Sequence, residues 1–360
     1  MTPVNGKAIK AFTAMMKNGY GHRRSSNLPG RKTQKFVEEA DTLIAEFFGG
    51  ARTLFYYDGG VANGLSVLSM GRQAGGKNRK HIISSPVEHS SIITALRMLR
   101  REGYSITILP INSDGRIIPE ALQDAINNET GLVTIAWSSG ISGIIQPVEE
   151  LSAIAHSNGA LFHSDTCNAA GKVEIDLSST DIDAITVSSQ KIGGPPGAAA
   201  VVITDFDPWL MSNAPEFSCM MNIPGISGMT AAIDIINTGI VPRARIVNQL
   251  RTDLLDGLDC NGIKYSIIGD CTDNLLPGAA LLSMRRVPDR FHAKLENANI
   301  VLPSHNSSER LAYLENIGRD ISNPDRYLGF SISPENNIVD IEHFIRAVSE
   351  ICFDSKRSEI

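Results

Sequence analysis

The chain has 360 residues, of which 42% are hydrophobic and 20% are charged, a balance that excludes an intrinsically disordered chain and allows a large buried core. The formal net charge of −6, with no block of basic residues, argues against nucleic acid as the main partner. No run of residues is long and apolar enough to predict a membrane span.

The N-terminus and the cysteines indicate a cytoplasmic protein. Residues 1–7 contain no hydrophobic core of a secretory signal, so the cytoplasm is the expected location. The cysteines are odd in number, widely spaced and without a CxxC pair, so neither a disulfide framework nor a metal site is predicted. They are Cys167, Cys219, Cys260, Cys271 and Cys352.

Strand-like and helix-like segments alternate over the first 200 residues. A helical pattern over residues 32–48 ends at Gly49-Gly50, which suits a helix C-cap. Pro147 suits the first turn of a later helix, because its fixed φ fits that position. The other predicted helices cover residues 61–70, 90–101 and 119–126, and the predicted strands cover residues 53–57, 81–85, 105–109 and 132–137 and segments beginning near 160, 184 and 198.

This alternation predicts βαβ units, and therefore an α/β fold with a mostly parallel sheet flanked by helices. The pattern changes after about residue 237. A long helix over residues 241–258 precedes strands at 265–268, 279–284 and 327–332 and helices at 288–297, 308–317 and 338–352. The sequence therefore predicts a large α/β domain over residues 13–240 and a small α+β domain over residues 241–360, on which residues 1–12 are expected to pack.

Candidate functional residues follow the predicted strands, where ligands bind in parallel sheets. Lys191 comes just after the apolar run at 184–187, and Asp165 comes just after the run at 160–163. A lysine and an acid at such strand ends are what pyridoxal 5'-phosphate (PLP) chemistry needs. The lysine amine forms a Schiff base with the cofactor, and the acid keeps the pyridine nitrogen protonated so that the ring accepts electrons.

Five segments, taken in chain order, carry a family resemblance. They are Gly30-Arg31-Lys32, Val87-Glu88-His89-Ser90, Gly143-Ile144-Ile145-Gln146-Pro147, the stretch from His163 to Asp176, and the stretch from Ser188 to Gly197. The chain resembles the class V aminotransferase superfamily of fold-type I PLP-dependent transferases, and within it the NifS-like cysteine desulfurases. The resemblance runs from Thr2 to the C-terminal helix. It implies a homodimer with the active site near the interface, acting on an amino-acid or amine substrate, with any sulfur-acceptor protein unknown.

By this resemblance, Lys191 matches the Schiff-base lysine, whose basicity is lowered by burial beside a cation. Asp165 matches the acid paired with the pyridine nitrogen. His89 matches the histidine that stacks on the face of the ring and moves protons. The resemblance therefore implies three catalytic residues.

The same resemblance implies a set of cofactor-binding residues. The Gly59-Gly60-Val61 turn opens a helix at the family's phosphate loop, where backbone N–H groups suit a dianion. Ser188 matches the phosphate-binding serine, and Gln190 stands where a histidine is usual. Asn168 falls where the family has a glutamine, from which it is expected to donate a hydrogen bond to the oxygen of the ring.

The substrate-binding positions depart from the family. The family's Asn-Asn-Glu segment is replaced by residues 138–142, so Ser139 or Ser142 is expected to take the role of the lost asparagine. Gly329 occupies the place of the arginine that binds the substrate carboxylate. Arg326 is the expected replacement, with Arg310 and Arg319 as alternatives.

Two further departures concern sulfur chemistry and the dimer. The segment that a partner subunit lends to the phosphate aligns with residues 217–220, where the match is lost. The mobile loop that carries the persulfide-forming cysteine aligns with residues 302–308, which contain no thiol. Cys167 lies two residues from Asp165, but a position at a strand end suits a buried thiol better than a persulfide carrier.

Three functional hypotheses follow. The first is a PLP-dependent enzyme that cleaves a C–S bond, as a desulfurase or a C–S lyase, without the usual persulfide cysteine. The second is a PLP-dependent aminotransferase or another lyase that acts on a substrate lacking a free α-carboxylate. The third is a catalytically silent cofactor-binding or scaffold protein, which the retained Lys191, Asp165 and His89 disfavour.

Overall fold

A computed structural model describes residues 2–18, 21–204, 221–269, 274–303 and 306–357. The chain divides into two compact units, of which the first contains residues 1–110, 117–137 and 146–240. Among the described residues, no helix combines the length and the apolar character needed to cross a membrane.

The elements of the first unit are α1 (Gly6–Asn18), α2 (Leu28–Phe47), β1 (Arg52–Tyr56), α3 (Gly59–Gly75), β2 (His81–Ser84), α4 (Ser90–Arg101), β3 (Ser105–Ile108), α5 (Pro119–Ala125), β4 (Thr130–Thr134), α6 (Val148–Ser157), β5 (Leu161–Asp165), β6 (Ala184–Ser188), β7 (Ala199–Ile203) and α7 (Ile223–Asn237).

A seven-stranded sheet with the order β1-β7-β6-β5-β4-β2-β3 forms the centre of the first unit. Strands β6, β5, β4, β2 and β3 are parallel, while β7 is antiparallel to both β6 and β1. Every residue of β4, β6 and β7 is buried, as expected for a sheet with helices on both faces. The structure confirms the predicted α/β fold with a mainly parallel sheet.

Two helices begin earlier than the sequence pattern predicts, because capping side chains precede the apolar residues. Asn27 caps α2 by accepting a hydrogen bond from the N–H of Gly30. Asp58 caps α3 in the same way through the N–H of Gly60, so this helix begins at Gly59 and not at Val61.

Helices α1 and α7 were not predicted, and they pack against each other. A Cβ at Gly228 of α7 would lie 2.5 Å from the ring of Pro195 and 3.3 Å from the carbonyl oxygen of Ala8, so glycine permits α7 to pack closely on both Pro195 and α1. Ser227 adds a hydrogen bond to the carbonyl of Ala11 at 3.3 Å. The glycines that allow this packing interrupt the apolar periodicity of α7, so the pattern of residues 223–237 did not indicate a helix.

The first residues of the chain belong to the first unit. The backbone N–H of Asn5 donates to the carbonyl of Gly193 at 2.8 Å, and the hydroxyl of Thr2 donates to the carbonyl of Lys191 at 2.9 Å. The expectation that residues 1–12 pack on the C-terminal domain is therefore wrong. The polar contacts that hold this segment join residues about 190 positions apart in the sequence, and no periodic pattern signals them.

The second unit contains the chain from Val241 onwards together with residues 111–116 and 138–145, two short segments that the sequence assigned to the large domain. An antiparallel sheet with the order β10-β9-β8 forms its centre. Its core includes Leu254, Leu282, Phe291 and Leu328, all of which are buried. Its elements, with the first helix starting at the junction, are α8 (Ile240–Cys260), β8 (Tyr265–Ile267), β9 (Ala279–Met284), α9 (Phe291–Asn297), α10 (Ser308–Asn316), β10 (Tyr327–Ser331) and α11 (Ile338–Arg357).

Candidate active site

The carboxyl ends of three strands bring the candidate residues of the first unit to one edge of the sheet. Asp165 is the last residue of β5, and Ser188 is the last residue of β6. Lys191 ends the short 3-10 turn that follows β6. Strand β1, which precedes Gly59, runs in the same direction as β6, because each is antiparallel to β7. All four residues therefore lie at the edge where ligands bind in parallel sheets.

Lys191 is held at both its backbone and its amine. Its Nζ donates to Oδ1 of Asn168 at 3.0 Å, and its carbonyl accepts from the hydroxyl of Thr2. The carbonyl of Gln190 accepts from the N–H of Thr2 at 3.2 Å. The predicted residues Lys191 and Asn168 are thus neighbours, while Gln190 contributes a backbone contact to the N-terminal segment.

Asp165 is 6% exposed, and two neutral donors orient its carboxylate. Oδ2 accepts from Nδ2 of Asn63 at 2.7 Å, and Oδ1 accepts from the backbone N–H of Cys167 at 2.9 Å. Because neither donor is charged, the negative charge of Asp165 is left to pair with a cationic N–H group of a ligand. The sequence analysis did not identify Asn63 as a site residue. The signal that pointed to it was a polar amide side chain on the buried face of α3.

The N-terminus of α3 forms a close-fitting turn beside these residues. A Cβ atom at Gly59 would lie 3.2 Å from Sγ of Cys167 and 3.2 Å from Cβ of Ser188, so glycine keeps this space open. Oδ1 of Asp58 accepts a hydrogen bond from the N–H of Gly60 at 2.7 Å. The other N–H groups of the first turn, such as those of Gly59 and Val61, have no acceptor within the helix. Val61 itself is exposed and contributes its backbone alone.

His89 is both a helix cap and a neighbour of this turn. Its Nδ1 lies 2.7 Å from Oγ of Ser91 and accepts from the N–H of Ser91 at 3.3 Å, as the N-cap of α4. A neutral ring with this arrangement carries its proton on Nε2. Cε1 lies 3.7 Å from the position of a Cβ at Gly60. The exposed imidazole therefore lies beside the α3 turn, with Nε2 available as a donor.

Four ionisable side chains beside Asp165 and Lys191 are shifted toward their neutral forms. Burial raises the pKa of Glu88 to about 8, and the charge of Asp165 adds to this rise. Burial lowers the pKa of His163 to about 4 and raises the pKa of the Cys167 thiol well above its usual value. Burial and the nearby charge of Lys191 lower the pKa of Lys172 to about 8. Low solvation at this edge makes the remaining charges interact strongly.

Glu88 has an unusual environment that sequence reasoning also missed. Its Oε1 accepts from the hydroxyl of Ser85 at 2.6 Å and from the N–H of Ala136 at 2.8 Å. Its Oε2 is enclosed and has no partner within the described chain. The raised pKa keeps the Glu88 side chain a neutral acid at pH 7, so Glu88 adds no negative charge beside Asp165.

The donor set fits PLP. The phosphate is a dianion, which suits the free N–H groups at the start of α3 and the hydroxyl of Ser188. The pyridine nitrogen requires an oriented carboxylate, which Asp165 supplies, and the aldehyde requires an amine, which Lys191 supplies. These groups lie at the carboxyl ends of three strands of one sheet, and Gly59 leaves space open beside Ser188 and Cys167.

The predicted substrate residues Ser139, Ser142 and Arg326 all belong to the second unit. Oγ of Ser139 accepts from the N–H groups of Ile141 and Ser142, each at 3.2 Å, and Oγ of Ser142 accepts from the hydroxyl of Tyr313 at 2.8 Å. Both serine hydroxyls are thus engaged within their own unit. Their substrate roles and that of Arg326 stay predictions. Residues 217–220, and residues 304 and 305 of the loop at 302–308, lie outside the described chain.

Replacing Gly59 by alanine is expected to weaken PLP binding by about tenfold, since the added methyl group presses on Cys167 and Ser188 beside the phosphate turn. Titrating the apoprotein with PLP and following absorbance measures the change. Gly64→Ala in the same helix is the control, because the nearest atom lies 3.9 Å away and affinity is expected to stay unchanged. Equal affinities for both variants would show that the turn at Gly59 does not contact the cofactor.

Comparisons of the sequence agree with this geometry. The sequence model of the family described as aminotransferase class-V matches residues 2–269. A cysteine desulfurase of Cereibacter sphaeroides is 30% identical over 279 residues, which cover 75% of this chain and 71% of that protein. A cysteine desulfurase of Trichormus azollae is 27% identical over 285 residues, which cover 76% of this chain and 70% of that protein.

Solved structures share the fold. A structure titled as a NifS-like protein superposes with a TM-score of 0.88 at 22% identity, covering 97% of this chain and 96% of the other. The crystal structure of DndA from Streptomyces lividans superposes with a TM-score of 0.79 at 24% identity, covering 92% of this chain and 98% of the other. At these identities the likeness concerns the fold, which is that of NifS-like PLP enzymes.

Proposed function

This chain belongs to the class V aminotransferase family as a PLP-dependent enzyme of the cysteine desulfurase type, and from that premise we propose that it cleaves the C–S bond of an amino acid and releases the sulfur without an enzyme persulfide. The bound cofactor supplies an electron sink for the carbon that loses a proton. The contribution of the protein is to hold the reacting groups and to move protons.

The roles proposed for the three catalytic residues follow from their contacts. The amine of Lys191 accepts the proton from Cα of the substrate, and Asn168 orients that amine. Asp165, oriented by Asn63, holds the proton on the pyridine nitrogen. His89, which lies beside the phosphate turn, is the proposed donor of a proton from Nε2. As the electrons of the broken Cα–H bond form a Cα=Cβ double bond, the sulfur leaves Cβ with its bonding pair and takes up a proton to give hydrogen sulfide, and the released 2-aminoacrylate reacts with water to give a 2-oxo acid and ammonia.

The state of Cys167 carries the proposal that no enzyme persulfide forms. Its thiol is buried, donates to the carbonyl of Thr186 at 3.6 Å, and has a pKa raised well above the usual value by burial and by Asp165. A thiol held neutral is a poor nucleophile toward sulfur. Residues 302–308, where the resemblance places the persulfide-forming cysteine, contain no thiol.

Replacing Cys167 by alanine is therefore expected to leave at least about half of the sulfide release from L-cysteine, because the thiol takes no part in the chemistry. The measurement is sulfide formed by the PLP-loaded protein without added reductant, together with intact-mass analysis for bound sulfur. The exposed Cys260 provides a matched control as Cys260→Ala. A persulfide found on any cysteine, or sulfide release that requires a reductant, would contradict direct release.

A second candidate function is transamination or another lyase reaction on an amine without an α-carboxylate. The observation that favours it is Gly329, which stands where the resemblance places a carboxylate-binding arginine. Changes in the cofactor spectrum with simple amines, in the absence of any change with amino acids, would favour this alternative.

A further inference from the structure

The segment between β2 and α4 carries His89 to the edge of the sheet. It covers residues 85–89, lies outside the helices and strands, and ends with His89 as the N-cap of α4. The ring of His89 is exposed, so burial does not hold it in place. The preceding residue, Glu88, points inward and is 5% exposed. This buried neighbour therefore has the larger part in fixing where the His89 ring lies.

The carboxyl group of Glu88 ties this segment together. Its Oε1 accepts from the hydroxyl of Ser85 at 2.6 Å, and Oγ of Ser85 accepts from the N–H of Val87 at 3.3 Å. The first and last parts of the segment thus meet at one oxygen atom. Loss of that oxygen would release both parts, because the buried hydroxyl of Ser85 would lose its acceptor.

The same oxygen joins the segment to the neighbouring strand, because it also accepts from the N–H of Ala136 at 2.8 Å. Strand β2 ends at Ser84, which is paired with Thr134 of β4, so Ala136 lies beyond the end of β2. Alternate residues of a parallel strand point their N–H groups to opposite edges, and that of Ala136 points to the β2 edge. The carboxyl group of Glu88 therefore takes the place that a carbonyl of a longer β2 would occupy.

The backbone after β4 is bonded on its other edge to β5. The N–H of Trp137 donates to the carbonyl of Asp165 at 3.0 Å. Because Ala136 and Trp137 are adjacent, Glu88 and Asp165 are attached to opposite edges of the same backbone. This short stretch of chain connects the residue that carries the acidic charge of the site to the segment that carries His89.

Glu88 makes these contacts as an uncharged group. Burial, with a contribution from the charge of Asp165, raises the pKa of Glu88 to about 8, and its Oε2 is enclosed without a partner in the described chain. An ionised carboxylate would leave an unsolvated charge on that atom. Because Oε2 is enclosed, it is out of reach of a ligand, and a role for Glu88 as an acid or base in the reaction does not fit.

From these contacts we propose that Glu88 is a positioning residue, which sets the place of the His89 ring relative to Asp165 by joining residues 85–89 to the backbone that follows β4. The role depends on an oxygen acceptor at the end of the side chain and not on a charge. It goes beyond the proposed function, because it concerns how the two groups are held whatever the substrate is.

A double-mutant cycle on PLP affinity tests whether Glu88 acts through His89. Titration of the apoprotein with PLP, followed by absorbance, measures this affinity without any turnover. Glu88→Met keeps the length of the side chain but removes the acceptor, and it is expected to weaken affinity by about tenfold. In a His89→Ala background the same change is expected to add less than about twofold, because the ring that Glu88 positions is gone. Glu150→Met, at an exposed glutamate of α6, is the matched control with unchanged affinity.

Glu88→Gln separates the need for an acceptor from the need for a charge. The amide oxygen can accept from the same two donors, so PLP affinity within about threefold of the wild type is expected. Hydrogen exchange at the amide of Ala136 reports the contact itself. This amide is expected to be protected in the wild type and in Glu88→Gln, and to exchange at least about tenfold faster in Glu88→Met.

Three results would overturn the proposal. They are a loss of affinity from Glu88→Met that is equally large in the His89→Ala background, a Glu88→Gln variant that binds PLP as weakly as Glu88→Met, and exchange at Ala136 that is no faster in Glu88→Met than in the wild type. A wild type that shows the expected cycle on PLP affinity but releases no sulfide from L-cysteine would support the positioning role and contradict the proposed function alone.

Discussion

Replacing Lys191 by alanine is expected to abolish covalent attachment of PLP and to lower turnover by about 10³-fold or more. Lys191 is the amine that the 3-10 turn after β6 and the contact with Asn168 bring to the edge of the sheet. Its loss removes both the covalent anchor of the cofactor and the base that accepts the proton from the substrate. The attachment site is measured independently of turnover. Borohydride reduces the bond between the cofactor and the lysine, and peptide mass analysis then shows which lysine carries the pyridoxyl group.

Lys172 provides the control for this experiment. Its pKa is lowered to about 8 by burial and by Lys191, so this second amine at the same edge of the sheet has a large neutral fraction near pH 8 and competes for the aldehyde of the cofactor. Lys172→Met is expected to retain a pyridoxyl group on Lys191 after reduction. A pyridoxyl group on Lys172 in the wild type, or unchanged turnover in Lys191→Ala, would remove Lys191 from its proposed role.

Replacing Asp165 by asparagine is expected to lower turnover by about 10²- to 10³-fold while PLP stays attached to Lys191. The change preserves shape but removes the negative charge that stabilises the protonated pyridine nitrogen. Asn63 and the N–H of Cys167 bind the two different oxygens of the carboxylate, so the variant's single amide oxygen keeps one of these hydrogen bonds and its NH2 group faces the other donor. The variant thus loses the negative charge and one oriented contact, and a shift of the cofactor's visible absorption with pH measures the loss of charge separately from activity.

Asp181→Asn is a suitable control, because Asp181 is an exposed acid on the same domain, 3.7 Å from His156. It is expected to leave both the spectrum and turnover unchanged. An Asp165→Asn variant with the pH-dependent spectrum and turnover of the wild type would mean that another group protonates the ring.

The fold and half of the site follow from local patterns in the sequence. Alternating helices and strands, with apolar runs that end in Asp165 and before Lys191, place both residues at strand ends of a parallel sheet. The position of a residue after a strand is a local property, so sequence reasoning captures it. The same holds for helix α4, whose predicted bounds of 90–101 agree with Ser90–Arg101.

The contacts that complete the site are long-range, and local patterns do not encode them. Asn63 reaches Asp165 across 102 residues, and Thr2 reaches Lys191 across 189. Within the second unit, the guanidinium of Arg310 lies next to Gly329, nineteen positions later in the sequence. Segments 111–116 and 138–145 likewise join the second unit through contacts distant in sequence.

The PLP site is tested most directly by the visible absorption of the purified, PLP-supplemented protein after gel filtration, recorded before and after L-cysteine is added. We expect a retained cofactor band that is altered in Lys191→Ala, a change of this band with L-cysteine, and release of sulfide. A protein that retains no cofactor band after gel filtration would contradict the assignment of Lys191 and Asp165 as a PLP site.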